Sequence, residues 1–439
     1  MITVIGGGPA GRFAAIHLAG AGEEVRLIER RGKLGGQCLH QGCMVICGLN
    51  DCARLIDESE KLGRLNVLKN HPGVSLPDLW DEMNNIQAKI SDILDRETKG
   101  AGVSVTDAEA FVDGSTVTVN GEILSSESVL IATGSKPFVP DIPNSNLPGV
   151  YTPHTIFNMR NIPKKLVIVG GGVIAAEYSY IFSMFGSDVT VASRSQFLRG
   201  KPDLLRRSAL KDLHKVSIKE YTLVRNISGK ERAESVFLES GGEKMEFKCD
   251  AVLFASGLTP NTGNITGIKK GEHGEIIIDE GYRTNCKGVY AAGDVTGRVF
   301  MTPYARMQGI NAARSILGEK PLKIPEYIPQ SLKLFYEHSY CNGNTENTSS
   351  VSIPSPSGPG SFWSVPEKNT GNAMINVDRK SGDIKGMYLG SPSSSVVAAY
   401  MGYLMEKGLN VSDFEDFVEV HPSTDGVYGL IKYAYSLLK

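Results

Sequence analysis

Apolar and polar positions alternate along this chain in a pattern that repeats. Residues 2–30, ITVIGGGPAGRFAAIHLAGAGEEVRLIER, align without a gap on residues 166–194, LVIVGGGVIAAEYSYIFSMFGSDVTVASR. Each copy reads as a short β-branched strand, a glycine turn, a helix and a second strand, the opening half of a doubly wound nucleotide-binding unit. Two copies predict two bound nucleotides. Between them, Leu79 to Lys99 has helical spacing. The alternating runs Val103–Val105 and Thr116–Val119 follow, with turns at Gly114 and Asn120-Gly121, and predict a hairpin or meander. Continuous apolar runs at Ser128–Ala132 and Ala251–Ala255 end in Thr133-Gly134 and Ser256-Gly257, and each is expected to close one unit against its nucleotide. Residues 284–297 predict a strand ending in Gly293-Asp294, and Thr302-Pro303 opens a helix.

From about residue 325 the composition shifts. Residues 342–361 are rich in Asn, Ser, Thr, Gly and Pro and predict an exposed loop or hairpin region. A strand (Ala373–Val377), a turn at Lys380 to Asp383, a strand (Ile384–Leu389) and a helix (Ser394–Lys407) make a compact α+β module. The expected fold is α/β: two Rossmann-like nucleotide-binding domains plus a C-terminal α+β dimerisation domain. The boundaries are 1–153 for the first domain, 154–280 for the second, 281–324 for a segment returning to the first, and 325–439 for the last.

Composition narrows the function classes. At 439 residues the chain has room for about three domains. Lys and Arg number 46 against 48 Asp and Glu, so no strong field holds nucleic acid or an anionic membrane. Without a long apolar run or a basic, cleavable leader, the expectation is a soluble cytoplasmic protein. The 49 glycines sit in clusters, as turns that admit a ligand to the backbone do.

Gly6, Gly8, Pro9, Ala10 and Gly11 satisfy G-x-G-x-x-G between a strand and a helix, and Glu29 ends the second strand where a carboxylate accepts hydrogen bonds from a ribose diol. In the second copy Gly170 and Gly172 persist, Val173 and Ile174 open the helix, and Ala175 takes the third glycine's place. The offset that gives Glu29 in the first copy gives Ser193 here, followed by Arg194 and then Arg199. Hydroxyl and guanidinium groups bind a 2′-phosphate that a carboxylate repels, so NADP is expected over NAD, with NAD possible. The competing reading of Arg194 and Arg199 is solvated surface charge.

Cys38 and Cys43 lie in Gly35-Gly36-Gln37-Cys38-Leu39-His40-Gln41-Gly42-Cys43. Their spacing lets the sulfurs meet across one helical turn as a dithiol/disulfide couple, and in a reducing compartment such a pair is catalytic or metal-binding rather than structural.

With these motifs the chain resembles the pyridine nucleotide-disulfide oxidoreductases, flavoproteins of the dihydrolipoamide dehydrogenase and glutathione reductase type. The resemblance runs in order through GGGPAG, GGxC-x4-C, IATG (131–134), GGGVIAAE (170–177), ASGLTPN (255–261), GVYAAGD (288–294) and His421-Pro422. It implies FAD in the first unit, held by the first glycine turn, Glu29, Arg30, Gly36, Gln37, Thr133, Gly134, Gly293, Asp294 and the helix opening at Thr302. It implies NAD(P)H in the second unit, with Gly257 among its contacts and Glu177 near the nicotinamide. Cys43 is then the flavin-proximal thiol and Cys38 the thiol that attacks a small-molecule disulfide or lipoyl substrate. His421 is the base, supplied by the neighbouring subunit of a homodimer; read alone, it is a surface histidine beside Pro422.

Three departures accompany the resemblance. Where the family has a lysine after the second cysteine, to pair with the glutamate matching Glu177, this chain reads Met44-Val45-Ile46-Cys47. Gly426 occupies the place of the glutamate that orients the histidine, leaving Asp425 as substitute. The start of the C-terminal module (326–345) also differs. Cys47 and Cys52 extend the cysteine run, but their spacing matches no common metal fingerprint; buried thiols are expected and no metal, with iron–sulfur or zinc as the alternative. The rival functions are a flavoprotein passing electrons to a metal ion, oxygen or a redox protein, and a redox sensor without turnover.

Overall fold

The computed structural model describes residues 1–70, 72–424 and 426–438. The two sequence copies build two parallel five-stranded sheets. In the first, the order is Val289–Ala291, Ser128–Ile131, Ile2–Ile5, Val25–Glu29 and Ser104–Asp107, with Val4 opposite both Leu27 and Leu130. In the second it is Ser217–Lys219, Asp188–Ala192, Lys165–Val169, Ala251–Phe254 and Val150–Tyr151. The strand leading into each glycine turn is central, with chain leaving to both sides, so a crevice opens at its carboxyl end.

Small residues let the layers approach. The helix Pro9–Gly20 packs on the helix Thr302–Ile316, where a Cβ on Gly309 would stand 2.1 Å from the Ala10 carbonyl oxygen. The two nucleotide units are tied by an antiparallel pair, Ser135–Pro137 with Leu258–Pro260.

Two local expectations change. The run near Val103 belongs to no hairpin: Ser104–Asp107 is the edge of the first parallel sheet, returned there by the crossover helix Leu76–Gly100. Alternation marks extended chain without naming its partner. The meander is Ala110–Asp113, Thr116–Val119 and Glu122–Leu124. The polar stretch 342–361 likewise contains a strand, Thr348–Pro354, hydrogen-bonded to Asn372–Asp378 at the edge of a five-stranded antiparallel sheet. An edge strand gains its ladder from backbone groups, and here only Val351 and Ile353 pack inward.

That C-terminal sheet runs Gln330–Lys333, Glu337–Asn342, Ile384–Ser391, Asn372–Asp378, Thr348–Pro354 and carries the helices Ser394–Glu406 and Val427–Leu438. One core joins it to the rest. Val45 and Leu49 of the long helix Cys43–Arg64, Tyr178 and Phe182 of the helix Val173–Met184, and Leu334 and Tyr336 beside the C-terminal sheet are buried together. Fully buried Leu49 and Phe182 each contribute roughly 1.5–3 kcal/mol. This core fixes the three segments bearing Cys47, Glu177 and Lys333 against one another.

Candidate active site

A cavity of ≈ 1290 Å³ runs from the first glycine turn past the cysteine pair to the second glycine turn and the C-terminal strand ending at Lys333. The glycines of each turn divide the work. At Gly6 (φ +108°) a Cβ would lie 2.3 Å from the Ala132 oxygen, at Gly11 2.0 Å from the Gly6 oxygen, and at Gly170 (φ +144°) 2.2 Å from the Ala255 oxygen. These three close the turns. Gly8, whose nearest neighbour would be at 3.7 Å, and Gly172, with nothing within 4 Å, border open space at the start of their helices. With Pro9 and Ala10, and with Val173 and Ile174, they line the cavity at the N-termini of the two helices, a cradle for a pyrophosphate.

The remaining first-unit residues gather around the same cavity. Glu29 is buried; its Oε2 accepts from Gly7 N at 2.8 Å and its Oε1 from Arg31 N at 3.0 Å, which fixes the carboxylate on the wall. Arg30 pairs with Glu109 at 3.4 Å at the exposed rim. Gly36 abuts Gly8 so closely that a Cβ would lie 2.7 Å from its Cα. Gln37 Oε1 accepts from His154 Nε2 at 2.9 Å; burial, reinforced by Arg31 and Arg30, pushes His154 down to about 4, so the ring is neutral. Thr133 Oγ1 donates to the Asn261 carbonyl at 2.8 Å and links the loops that end the two closing strands, beside Gly134 and Gly257. Gly293 N donates to Gln308 Oε1 at 2.6 Å, and Asp294 Oδ2 accepts from Ser135 Oγ at 2.7 Å, with burial raising its pKa.

In the second unit Ser193 is buried, donates to the Ser195 carbonyl at 2.8 Å, and sits 2.0 Å from where a Gly171 Cβ would be. Its hydroxyl is committed to the turn. Arg194 and Arg199 are exposed on the cavity wall.

The two cysteines do not share one helical turn. Cys38 is in the short helix Gly36–His40, Cys43 begins the helix Cys43–Arg64, and Gln41-Gly42 breaks the chain between them. The sulfurs nevertheless meet as free thiols, joined by a hydrogen bond. Cys43 Sγ lies 3.6 Å from Thr302 Oγ1, the first residue of the helix Thr302–Ile316. The hydrogen bond from Cys38, followed by that from Thr302, outweighs burial and pulls Cys43 down to about 6; donating that bond, together with burial, pushes Cys38 up. At neutral pH the pair is a Cys43 thiolate capped by a Cys38 thiol, and the helix N-terminus favours the same charge.

Glu177 is buried, and burial pushes its carboxyl up to about 8; the Cys43 charge adds to the rise, while the Lys333 N–H donated to Oε1 at 3.1 Å opposes it. The sequence shows no lysine after Cys43, yet Lys333 reaches this wall from the C-terminal sheet, its Nζ 3.0 Å from Glu337 Oε1. No local sequence signal marks Lys333; tertiary folding alone brings it here. Ser135, His154 and Asn261 were likewise silent, although Asn261 ends the 255–261 motif.

His421 is exposed, follows the exposed Val418 and Val420, and does not line its own chain's cavity. Gly426 is packed: a Cβ would meet Ala373 Cβ and Pro356 Cδ at 3.3 Å, so a glutamate at this place requires the neighbours to move. Asp425 lies outside the described residues. Cys47 is half-buried on the cavity wall, and Cys52 is half-buried against the core, outside the cavity lining. Among the described residues no group of three or more His, Cys, Asp or Glu is arranged to hold a metal ion, and no helix is long and apolar enough to cross a membrane.

The cavity fits FAD and a pyridine nucleotide: two glycine cradles, a fixed carboxylate at Glu29, and a helix N-terminus at Thr302 beside a thiolate. Residues 1–309 match the family model for pyridine nucleotide-disulphide oxidoreductases. A soluble pyridine nucleotide transhydrogenase of Pseudomonas putida is 29% identical over 377 residues, 83% of this chain and 81% of that protein. An uncharacterized protein of Methanocaldococcus jannaschii is 30% identical over 97% of this chain and 96% of its own length. Among solved structures, the HOCl-induced flavoprotein disulfide reductase RclA of Escherichia coli superposes with a TM-score of 0.85 at 25% identity, covering 98% of this chain and 99% of that one. A Cu(II) complex of the same E. coli protein gives 0.83 at 24%, covering 100% of both chains. The chain belongs to the pyridine nucleotide-disulphide oxidoreductase family of FAD-dependent oxidoreductases.

Proposed function

We propose that the protein is an NAD(P)H:disulfide oxidoreductase whose working pair is Cys38 and Cys43. The observation that carries this is the placement of Cys38 and Cys43 beside Thr302, with Cys43 Sγ 3.6 Å from Thr302 Oγ1, on the wall of a cavity that also holds both glycine cradles. Bound FAD supplies the two-electron link between a dihydronicotinamide and this sulfur pair. The chain's own chemistry is thiol exchange. Deprotonated Cys38 attacks one sulfur of a substrate disulfide, forming a mixed disulfide and releasing one thiolate. The Cys43 thiolate then attacks the Cys38 sulfur, releases the second thiolate and closes Cys38–Cys43. Two electrons have passed from the pair to the substrate, which departs as two thiols after taking up two protons.

Cys38, held protonated by its bond to Cys43, needs a base. His421 of the partner subunit fills that role in this reading, since His421 does not line its own chain's cavity. An apolar stripe of Val396, Tyr400 and Tyr403 on the helix Ser394–Glu406 is exposed in one chain and suits burial in a homodimer. Arg194 and Arg199 favour NADPH, and the substrate class is a small disulfide, dithiol or lipoyl group. A catalytic cysteine pair of this kind suits a reducing cytoplasm.

One observation favours a second reading. The crowding at Gly426 denies His421 a glutamate partner and weakens proton delivery to a leaving thiolate. An acceptor with no leaving thiolate to protonate, such as a metal ion or oxygen, then replaces the disulfide. Rapid mixing with NADPH, followed by lipoamide, glutathione disulfide, coenzyme A disulfide, Cu(II) or oxygen, tests both. The expected result is flavin reduction, a long-wavelength charge-transfer band lost in Cys43→Ser, and turnover with one disulfide. Turnover only with Cu(II) or oxygen supports the second reading, and a flavin that NADPH does not reduce refutes both.

A further inference from the structure

The wall formed by Cys47, Glu177 and Lys333 carries an asymmetric charge pair. Lys333 ends the strand Gln330–Lys333 and faces Glu337 across the antiparallel ladder, with Nζ 3.0 Å from Oε1. Glu337 is buried, and its other oxygen accepts from Ser395 N at 3.0 Å and Ser395 Oγ at 2.5 Å. Both carboxylate oxygens are therefore occupied, which keeps Glu337 ionised and Lys333 anchored. Lys333 is among the residues that line the cavity and Glu337 is not, so the positive member of the pair is the one at the wall. Glu177, which accepts the Lys333 backbone N–H, is protonated at neutral pH and does not cancel that charge. The thiol at Cys47, one helical turn beyond Cys43, is neutral as well, because burial raises its pKa.

We propose that Lys333 is the fixed positive charge that stabilises electron density delivered beside Glu177, a positioning residue for hydride transfer from the dihydronicotinamide to FAD. This inference rests on the flavoprotein reading above. A hydride carries two electrons and one proton, so its acceptor gains one negative charge and the nicotinamide leaves as a cation. A preorganised ammonium held on the wall by Glu337 lowers the energy of that separated state without reorganising during the step. Position 47 bears a thiol, so the helix Cys43–Arg64 supplies no cation at this turn; the C-terminal sheet supplies it.

The test uses FAD-loaded full-length protein with Lys333→Met, Lys333→Arg and the double variant Lys333→Met/Glu337→Gln. The double variant removes the unpaired buried carboxylate that Lys333→Met alone creates, so folding loss does not mask the result. The readouts are flavin content, the two-electron midpoint potential by dye equilibration, and the rate of reduction by NADPH. Both methionine variants are expected to shift the reduction equilibrium about tenfold toward oxidised flavin, about 30 mV for a two-electron couple. Reduction by NADPH slows in parallel, and Lys333→Arg stays within about twofold of wild type on both measures. A double variant with normal flavin content and wild-type potential overturns the role of Lys333 alone. Wild-type protein that neither retains nor rebinds FAD overturns the flavoprotein reading, and this inference with it.

Discussion

Replacing Glu177 by glutamine removes one proton-binding group from the protein's interior while keeping the side chain's volume and the oxygen that accepts from Lys333 N. The carboxyl is buried, and desolvation lifts it from an ordinary 4.5 to about 8. A folded-state pKa above the unfolded one means that the native state holds its proton more tightly, so stability is full below pH 4.5 and is lost as pH rises toward 8. Each pH unit in that window costs the wild type roughly 1.4 kcal/mol relative to Glu177→Gln, or about 3 kcal/mol between pH 5 and 7.5. Urea titrations of the two proteins at four pH values measure the difference. Wild type should lose ground to the variant steadily across the window and then level off above it. Parallel pH dependences, or a wild type gaining on the variant, would refute an uncharged Glu177 and with it the uncancelled positive charge of Lys333 at the wall. Closing the Cys38–Cys43 disulfide removes the Cys43 charge that helps raise Glu177, so the levelling point should move to lower pH in oxidised protein.

Four further outcomes follow from the cradles, the thiols and the two arginines. Gly11→Ala, whose Cβ would lie 2.0 Å from the Gly6 oxygen, should leave the purified protein with a flavin-to-protein absorbance ratio at least about tenfold below wild type. Gly172→Ala meets no protein atom, so it should retain flavin while raising the KM for NADPH. Iodoacetamide labelling of reduced protein, read by peptide mass spectrometry against pH, should show Cys43 half-reactive near pH 6 and Cys38 unreactive until higher pH; Thr302→Val should move the Cys43 curve to higher pH. Arg194→Glu with Arg199→Glu should raise the KM for NADPH roughly tenfold or more and change that for NADH little, since only the former carries a 2′-phosphate to repel; equal effects on both would remove the case for NADP.

Local pattern disclosed what is locally determined. The strand–glycine turn–helix repeat was readable because a turn that brings backbone to a pyrophosphate tolerates no Cβ at Gly6, Gly11 or Gly170, and that steric demand leaves a mark at fixed spacing. Pairing partners left no such mark. Ser104–Asp107 looked like a hairpin strand because alternation records exposure, not neighbour, and Thr348–Pro354 was masked by polar residues that an edge strand accepts. The same limit governs the site. Ser193 fell at the offset of Glu29 and has the hydroxyl a phosphate wants, but whether that hydroxyl is free depends on Ser195, whose carbonyl takes it.

The charge at the nicotinamide side follows from that contrast. Sequence motifs name a position on a helix, here the turn after Cys43, and a motif residue missing there reads as a missing function. Electrostatics depends only on where a charge ends in space and what lies between it and solvent. Lys333, 156 residues from Glu177 along the chain, reaches the cavity because Leu334 and Tyr336 beside it are buried against Leu49 and Phe182. The cation is thus placed by an apolar core, and loosening that core should cost the site its charge before it costs the chain its nucleotide cradles. Leu49→Ala leaves a cavity worth about 2–5 kcal/mol at the joint between the helix Cys43–Arg64 and the C-terminal sheet. It is expected to lower the flavin potential in the direction of Lys333→Met while Gly6 and Gly11 still hold flavin; a potential equal to wild type would show that Lys333 keeps its place without the core's help.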